Sequence, residues 1–169
     1  MLKEAVTFVL PPRSDTMRRV YGYLLHHRGI DREVLDAFAQ RGMVYESSDY
    51  HNAVFVGVDP QGQPKHAHKR GTGSESTYKG NVPGSQPEYS FHWVGGGETL
   101  FLFEAPIDML SFISMHKQHW KSSSYAAACG VSDKVLWKTM EGRPFIRNVC
   151  ICLDNDETGK RQRREFPRR

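Results

Sequence analysis

Cysteine is scarce in this 169-residue chain: there are three, an odd number, and Cys129, Cys150 and Cys152 all sit in apolar context. That usage argues for reduced thiols in a cytoplasmic protein, and against a disulfide framework or a zinc ribbon. Long apolar runs are absent as well, and the mean hydropathy of −0.58 leaves no segment suited to spanning a membrane. The opening MLKEAVTFVLPPRSD holds too short an apolar stretch for a signal peptide. No internal repeat is present. A one-signed charge surplus is also missing once the tail is set aside. The formal net charge is +4, yet residues 160–169 carry six basic side chains against Glu165, a net of +5, so the other 159 residues sum to −1. The basic character belongs to the tail, which could bind phosphate backbone or simply be solvated. Hydrophobic residues at 38% and aromatics at 11% are enough for one ordinary domain or two small ones.

From Asp15 the pattern is helical: Met17, Val20, Tyr21, Leu24 and Leu25 fall on one face, and Gly29 suits the position just past the helix end. Asp31 suits the N-cap of a second helix carrying Val34, Leu35 and Phe38, with Gly42 closing it. Two short helices of this kind are more often a packing pair than a DNA-reading helix-turn-helix. The period then changes. Residues 53–58 read as a strand, Asp59-Pro60-Gln61-Gly62 as a turn and 63–70 as the return strand of a hairpin. Residues 71–90, rich in Gly, Ser and Pro and without periodicity, read as one long loop. A short strand over 91–94 precedes Gly95-Gly96-Gly97, the best boundary in the chain. Beyond it, strands at 99–103, 125–129 and 149–153 alternate with helices at 108–119 and 133–140. That order implies a parallel sheet with right-handed crossovers.

The outer two of these strands end in acid: Glu104 and Asp108 after the first, Asp154, Asp156 and Glu157 after the third. In an open α/β sheet, chemistry gathers at the carboxyl ends of the strands. Carboxylates brought together there raise one another's pKa unless a cation neutralises them. Hard oxygen donors suit Mg²⁺, which bridges to substrate phosphates. Gly159 allows a turn or a close approach to phosphate. His66 and His68 face the same way on one strand and His92 could approach them, but two histidines with no cysteine nearby are thin grounds for a transition-metal site. Ser132 and Asp133 read as the N-cap of the following helix.

The segments F-L-F-E-A-P-I-D, A-A-C-G-V-S and C-L-D-N-D-E-T-G resemble the TOPRIM domain shared by DnaG-type primases, topoisomerases and some nucleases. The matching positions are Glu104, Gly130, Asp154, Asp156 and Gly159, with Asp108 where primases carry an Asp after the Glu. Ala105 departs from the usual glycine. Upstream, Y-L-L-H-H-R-G-I resembles the helix end before the primase hairpin, and N-A-V-F-V-G-V-D-P-Q-G-Q-P-K-H-A-H-K-R-G resembles the hairpin itself, with Arg70 as its terminal basic residue and Lys65 and Lys69 nearby. The chain resembles in particular the small TOPRIM proteins of Firmicutes mobile elements, whose leading domain has no assigned function. The resemblance implies a further strand and helix after D-x-D, for which GKRQRREFPRR holds no apolar period, so the domain is expected to be C-terminally truncated.

The expected architecture is therefore α/β: a small α+β leader over 1–97, resembling the primase core flank, then a TOPRIM-like Rossmannoid parallel sheet over 98–169. The resemblance implies Mg²⁺- or Mn²⁺-dependent nucleotidyl or phosphoryl transfer, most like a primase acting in DNA replication. Asp154, Asp156, Glu104 and Asp108 would hold metal, and Glu104 would serve as general acid/base. Lys65, Lys69, Arg70, Gly130 and Gly159 would contact nucleic acid or phosphate. The implied partners are DNA, single-stranded or template, and nucleoside triphosphates, with replication or conjugation proteins and no membrane. The alternatives are a non-catalytic nucleic-acid-binding module and a TOPRIM-type nuclease.

Overall fold

A computed structural model describes residues 4–130 and 132–153. Strands β1 (Val44–Glu46), β2 (Ala53–Val58), β3 (Pro64–Arg70) and β4 (Lys79–Asn81) form an antiparallel sheet in that order. Helix α1 (Arg18–Tyr21), its π-helical continuation Gly22–His27, and α2 (Arg32–Gln40) precede it. The second sheet has the order β5-β7-β6-β8, from β5 (His92–Trp93), β6 (Thr99–Phe103), β7 (Ser124–Ala127) and β8 (Asn148–Cys152). Helices α3 (Pro106–Met115) and α4 (Lys134–Met140) lie in its two crossovers. β6 runs parallel to both β7 and β8, as the alternating pattern implies, while β5 adds an antiparallel edge. The architecture is thus mixed α/β.

Local chemistry explains most of these elements. Asp31 caps α2, its Oδ1 accepting from the N–H groups of Glu33 (2.9 Å) and Val34 (3.3 Å). At the hairpin turn Asp59 Oδ1 accepts from the N–H groups of Gln61 and Gln63, both at 2.9 Å, and Gly62 takes φ +80°. Helix α1 has no cap of its own. Buried Glu46 reaches across from β1, and its Oε2 accepts from the N–H groups of Arg19 (3.0 Å) and Val20 (3.2 Å). The other oxygen, Oε1, meets His51 Nδ1 at 2.6 Å.

Three expectations change. The stretch 71–90 is not one loop: β4 pairs Lys79 with Arg70 and Asn81 with His68. Lys-Gly-Asn has no apolar alternation to announce a strand, and the ladder offered by β3 sets it instead. Helix α3 occupies 106–115, not 108–119, because Pro106 is accommodated in its first turn and the chain after Met115 tightens into a 3₁₀ turn at Trp120–Ser122. The strand upstream of the glycine run, β5, belongs to the second sheet, where His92 pairs with Ala126 and Trp93 with Tyr125.

Both faces of β6 and β7 are covered, while the edge strand β8 is largely exposed. Leu100, Leu102 and Ala126 pack with Val135, Leu136 and Ile146, while Phe103, Tyr125 and Ala127 face the opposite way. The latter group shares one cluster with Val20, Leu24, Val34, Leu35, Phe38 and Phe55 of the N-terminal elements, so the two sheets are joined through a common core. The segment leading into β5 crosses tightly over β2 at Gly57, where an added Cβ would stand 1.7 Å from the Tyr89 carbonyl oxygen. Among the described residues no helix is long and apolar enough to cross a membrane.

Candidate functional site at the sheet rim

Parallel pairing aligns Phe103 with Ala127 on one side and with Cys152 on the other, so the chain leaves β6, β7 and β8 at the same edge. The exits of β6 and β7 are stitched together: Ala128 N–H donates to the Phe103 carbonyl and Cys129 N–H to the Glu104 carbonyl, both at 2.9 Å. The loop after β7 is held in an uncommon conformation, with Cys129 at φ +53° and Gly130 at φ +148°. Ala105, where the resemblance expects glycine, has φ −129° and ψ 154°, extended backbone that any residue adopts. The departure therefore leaves the backbone here unstrained. Asp154, Asp156 and Gly159 lie outside the described residues.

Glu104 and Asp108 line a cavity of about 190 Å³ with Arg28, His68, Arg70 and Lys79. The antiparallel sheet thus brings two cations, Arg70 and Lys79, and an imidazole against the carboxylates of the parallel sheet, and the helical segment adds Arg28. The alternation of β3 sends His66, His68 and Arg70 to one face and Lys65 and Lys69 to the other. Arg70 Nε donates to the Tyr23 hydroxyl at 3.4 Å. Lys79 stands opposite Arg70 in the β3–β4 register, and Arg28 closes the π-helical segment. Lys65 Nζ sits 3.9 Å from Asp59 at the far end of the hairpin. Lys69 Nζ lies 5.5 Å from the Tyr78 ring and lines a second groove, of about 490 Å³, with Arg19, Tyr50 and Tyr78. The structure therefore brings Glu104, Asp108 and Arg70 together, keeps Gly130 on the same rim, and separates Lys65 and Lys69 from them.

Sequence reasoning missed Arg28, His68, Asn81 and Lys79 as site residues. The period-2 pattern of β3 held a signal for His68, which shares Arg70's face. Lys79 and Asn81 stood in an aperiodic stretch and gave none. His68 Nδ1 lies 2.8 Å from Asn81 Oδ1, and Asn81 Nδ2 donates to the Cys129 carbonyl at 2.8 Å. Burial pulls the His68 pKa down; the Asn81 hydrogen bond opposes this, and the charges of Lys79 and Arg70 reinforce it. His66 is lowered to about 4, first by burial and then by His68 and His92. Among the described residues no three His, Cys, Asp or Glu side chains form a group able to hold a metal ion. Glu104 and Asp108 supply only hard oxygen donors, which fits Mg²⁺ or Mn²⁺.

Residues 22–97 match a family model described as "Protein of unknown function (DUF3991)", and residues 101–167 match the model described as "Toprim-like". An uncharacterized protein of Bacillus anthracis, pXO2-78, is 27% identical over 154 residues, covering 84% of this chain and 44% of that protein. The chain thus spans less than half the length of this relative. The primase fragment of the bacteriophage T7 primase-helicase protein superposes with a TM-score of 0.63 at 18% identity, over 97% of this chain and 67% of that one. A bacteriophage T7 structure in which primase domains of two gp4 subunits are bound to an RNA/DNA hybrid and dTTP gives a TM-score of 0.59 at 18% identity, over 82% and 69%. Residues 101–167 are thus a Toprim-like domain, and the fold in which it is set is that of the primase fragments.

Proposed function

We propose that this chain takes part in Mg²⁺-dependent nucleotidyl or phosphoryl transfer on nucleic acid, as a primase does. One observation carries the reading: carboxylates from the Toprim-like rim and cations from the antiparallel sheet line one cavity. Glu104, Asp108, Asp154 and Asp156 would hold the metal, with Mn²⁺ as a substitute. Such an ion neutralises charge on the reacting phosphate and positions the attacking oxygen. Arg28, Arg70 and Lys79 would grip the phosphates of a nucleoside triphosphate, bidentate contact being open to the two arginines. Glu104 would take up or return a proton at the rim. On the other face of β3, Tyr50 and Tyr78 offer rings for bases to stack on, and Arg19 and Lys69 offer charge for the backbone of a single-stranded DNA template. Gly130 and Gly159 would let phosphate approach the rim closely. The setting is the cytoplasm, with replication or conjugation proteins as partners of a plasmid-borne function.

The test is Glu104→Gln, which keeps size but removes charge and proton uptake. Primer synthesis from nucleoside triphosphates on single-stranded DNA, with a nicking assay in Mn²⁺ run alongside, should fall about 10²–10⁴-fold while the fold is retained. Nicking without synthesis would favour a nuclease. Neither activity in the unaltered chain would refute the enzyme reading and favour a nucleic-acid-binding module.

A further inference from the structure

The hydrogen bonds around His68 fix its tautomer. The Cys129 carbonyl can only accept, so the Asn81 amide nitrogen, 2.8 Å away, must point at it. Asn81 Oδ1 is thereby turned to His68 Nδ1, also at 2.8 Å, and since an amide oxygen cannot donate, Nδ1 must carry the proton. The lone pair of the neutral ring is then on Nε2. Nε2 has no hydrogen-bond partner among the described residues, yet it is not sealed in as His66 Nδ1 is. The ring lines the rim cavity, so Nε2 presents an acceptor to whatever enters.

That acceptor is set among donors. Arg70 follows on the same face of β3, about 7 Å along a strand that rises about 3.3 Å per residue, and Lys79 stands opposite Arg70. Phosphate oxygens satisfy those cations but have no proton to give to Nε2. The sugar bonded directly to the phosphates does.

We propose that His68 Nε2 accepts a hydrogen bond from a ribose hydroxyl of the bound nucleotide, making His68 a selector of the sugar. The assignment rests on the nucleotide-binding reading of the cavity. Burial keeps the ring neutral and able to accept, and the link through Asn81 to the loop carrying Gly130 holds its orientation.

The experiment compares ATP with 2′,3′-dideoxyATP by calorimetry in Mg²⁺, using the full chain, the variant His68→Asn and the control Arg70→Gln. Asparagine places its amide nitrogen near the position of Nδ1, so it can keep the bond to Asn81 while deleting the Nε2 acceptor. The unaltered chain should prefer ATP by about 3- to 10-fold, the worth of one hydrogen bond between neutral groups. His68→Asn should bring the ratio to about 1 with dideoxyATP affinity unchanged, whereas Arg70→Gln should weaken both nucleotides alike. As a measurement independent of any variant, ¹⁵N NMR of histidine-labelled protein should show His68 protonated at Nδ1, with Nε2 perturbed by ATP and not by dideoxyATP. Equal binding of the two nucleotides by the unaltered chain, or equal weakening of both in His68→Asn, overturns the assignment and leaves the nucleotide site standing. Binding of neither nucleotide by the unaltered chain overturns the nucleotide site, and the sugar selector with it.

Discussion

Glu46 offers the sharpest quantitative test of how this fold holds its site, because one side chain serves three donors from two other segments. Oε2 accepts from the N–H groups of Arg19 and Val20, and Oε1 faces His51 Nδ1. The carboxylate thereby starts the helical segment whose far end delivers Arg28 to the rim cavity. Glu46→Gln keeps the shape and one acceptor oxygen but removes the charge. A hydrogen bond to a charged group is worth about 1.5–3 kcal/mol and one to a neutral group about 0.5–1.5, so each amide contact should lose about 1 kcal/mol. The His51 ring is 36% exposed, so its share is reduced by solvent screening, and the total comes to about 2–3 kcal/mol. At roughly 2–4 °C per kcal/mol for a chain of this size, Tm should fall by about 5–10 °C. Glu46→Ala also strands the two amide donors, adding about 1–3 kcal/mol for each that stays buried. Thermal denaturation followed by circular dichroism measures both variants. A Gln variant within about 2 °C of the unaltered chain, or an Ala variant no worse than Gln, would refute the reasoning.

Two further outcomes are expected. Burial holds His66, His68 and His92 below the ordinary histidine pKa, His66 at about 4. Between pH 6.5 and 4 the unfolded chain therefore binds more protons than the folded one, and stability drops as pH falls through that window, by about 3 kcal/mol from His66 alone. His66→Gln should flatten the Tm–pH curve there; parallel curves would show that His66 is not responsible. Gly57→Ala should cost about 3 kcal/mol or more, because its Cβ would meet the Tyr89 carbonyl oxygen at 1.7 Å and the Ser90 carbonyl carbon at 2.8 Å, backbone atoms that no rotamer change can move. An unchanged Tm would mean the 3₁₀ turn at Pro87–Tyr89 yields freely.

What could be read ahead of the structure was whatever is written in local chemistry. Asp31 before an apolar stripe, Asp59 and Gly62 at a hairpin turn, and apolar strands ending in Glu104 and Cys152 each carry their instruction within a few residues. The carboxylate half of the rim was legible for that reason. Of the cations only Arg70 was legible, because Lys79 comes to it through the pairing of β3 with β4 and Arg28 arrives from the end of the π-helical segment. Lys65 and Lys69 were grouped with Arg70 by closeness in sequence, which a strand overrules by sending neighbours to opposite faces. The Glu46 cap was invisible too, since nothing near residue 46 says that a helix start 26 residues earlier needs an acceptor.

The placement of β5 bears on how the Toprim-like segment could be moved between proteins. A graft taken from residue 98 onward leaves His92 and Trp93 with the donor, and with them the antiparallel partner of β7. The transplanted sheet would present β7 as a raw edge, its backbone groups open to any passing strand, a template for self-association. It would also lose the indole of Trp93, whose ring lies tilted against Trp120 and Phe38 at centroid distances of 4.6 and 5.1 Å. The part that travels intact begins at Phe91 or earlier, so chimeras joined before that residue should stay dispersed where those joined at the glycine run clump.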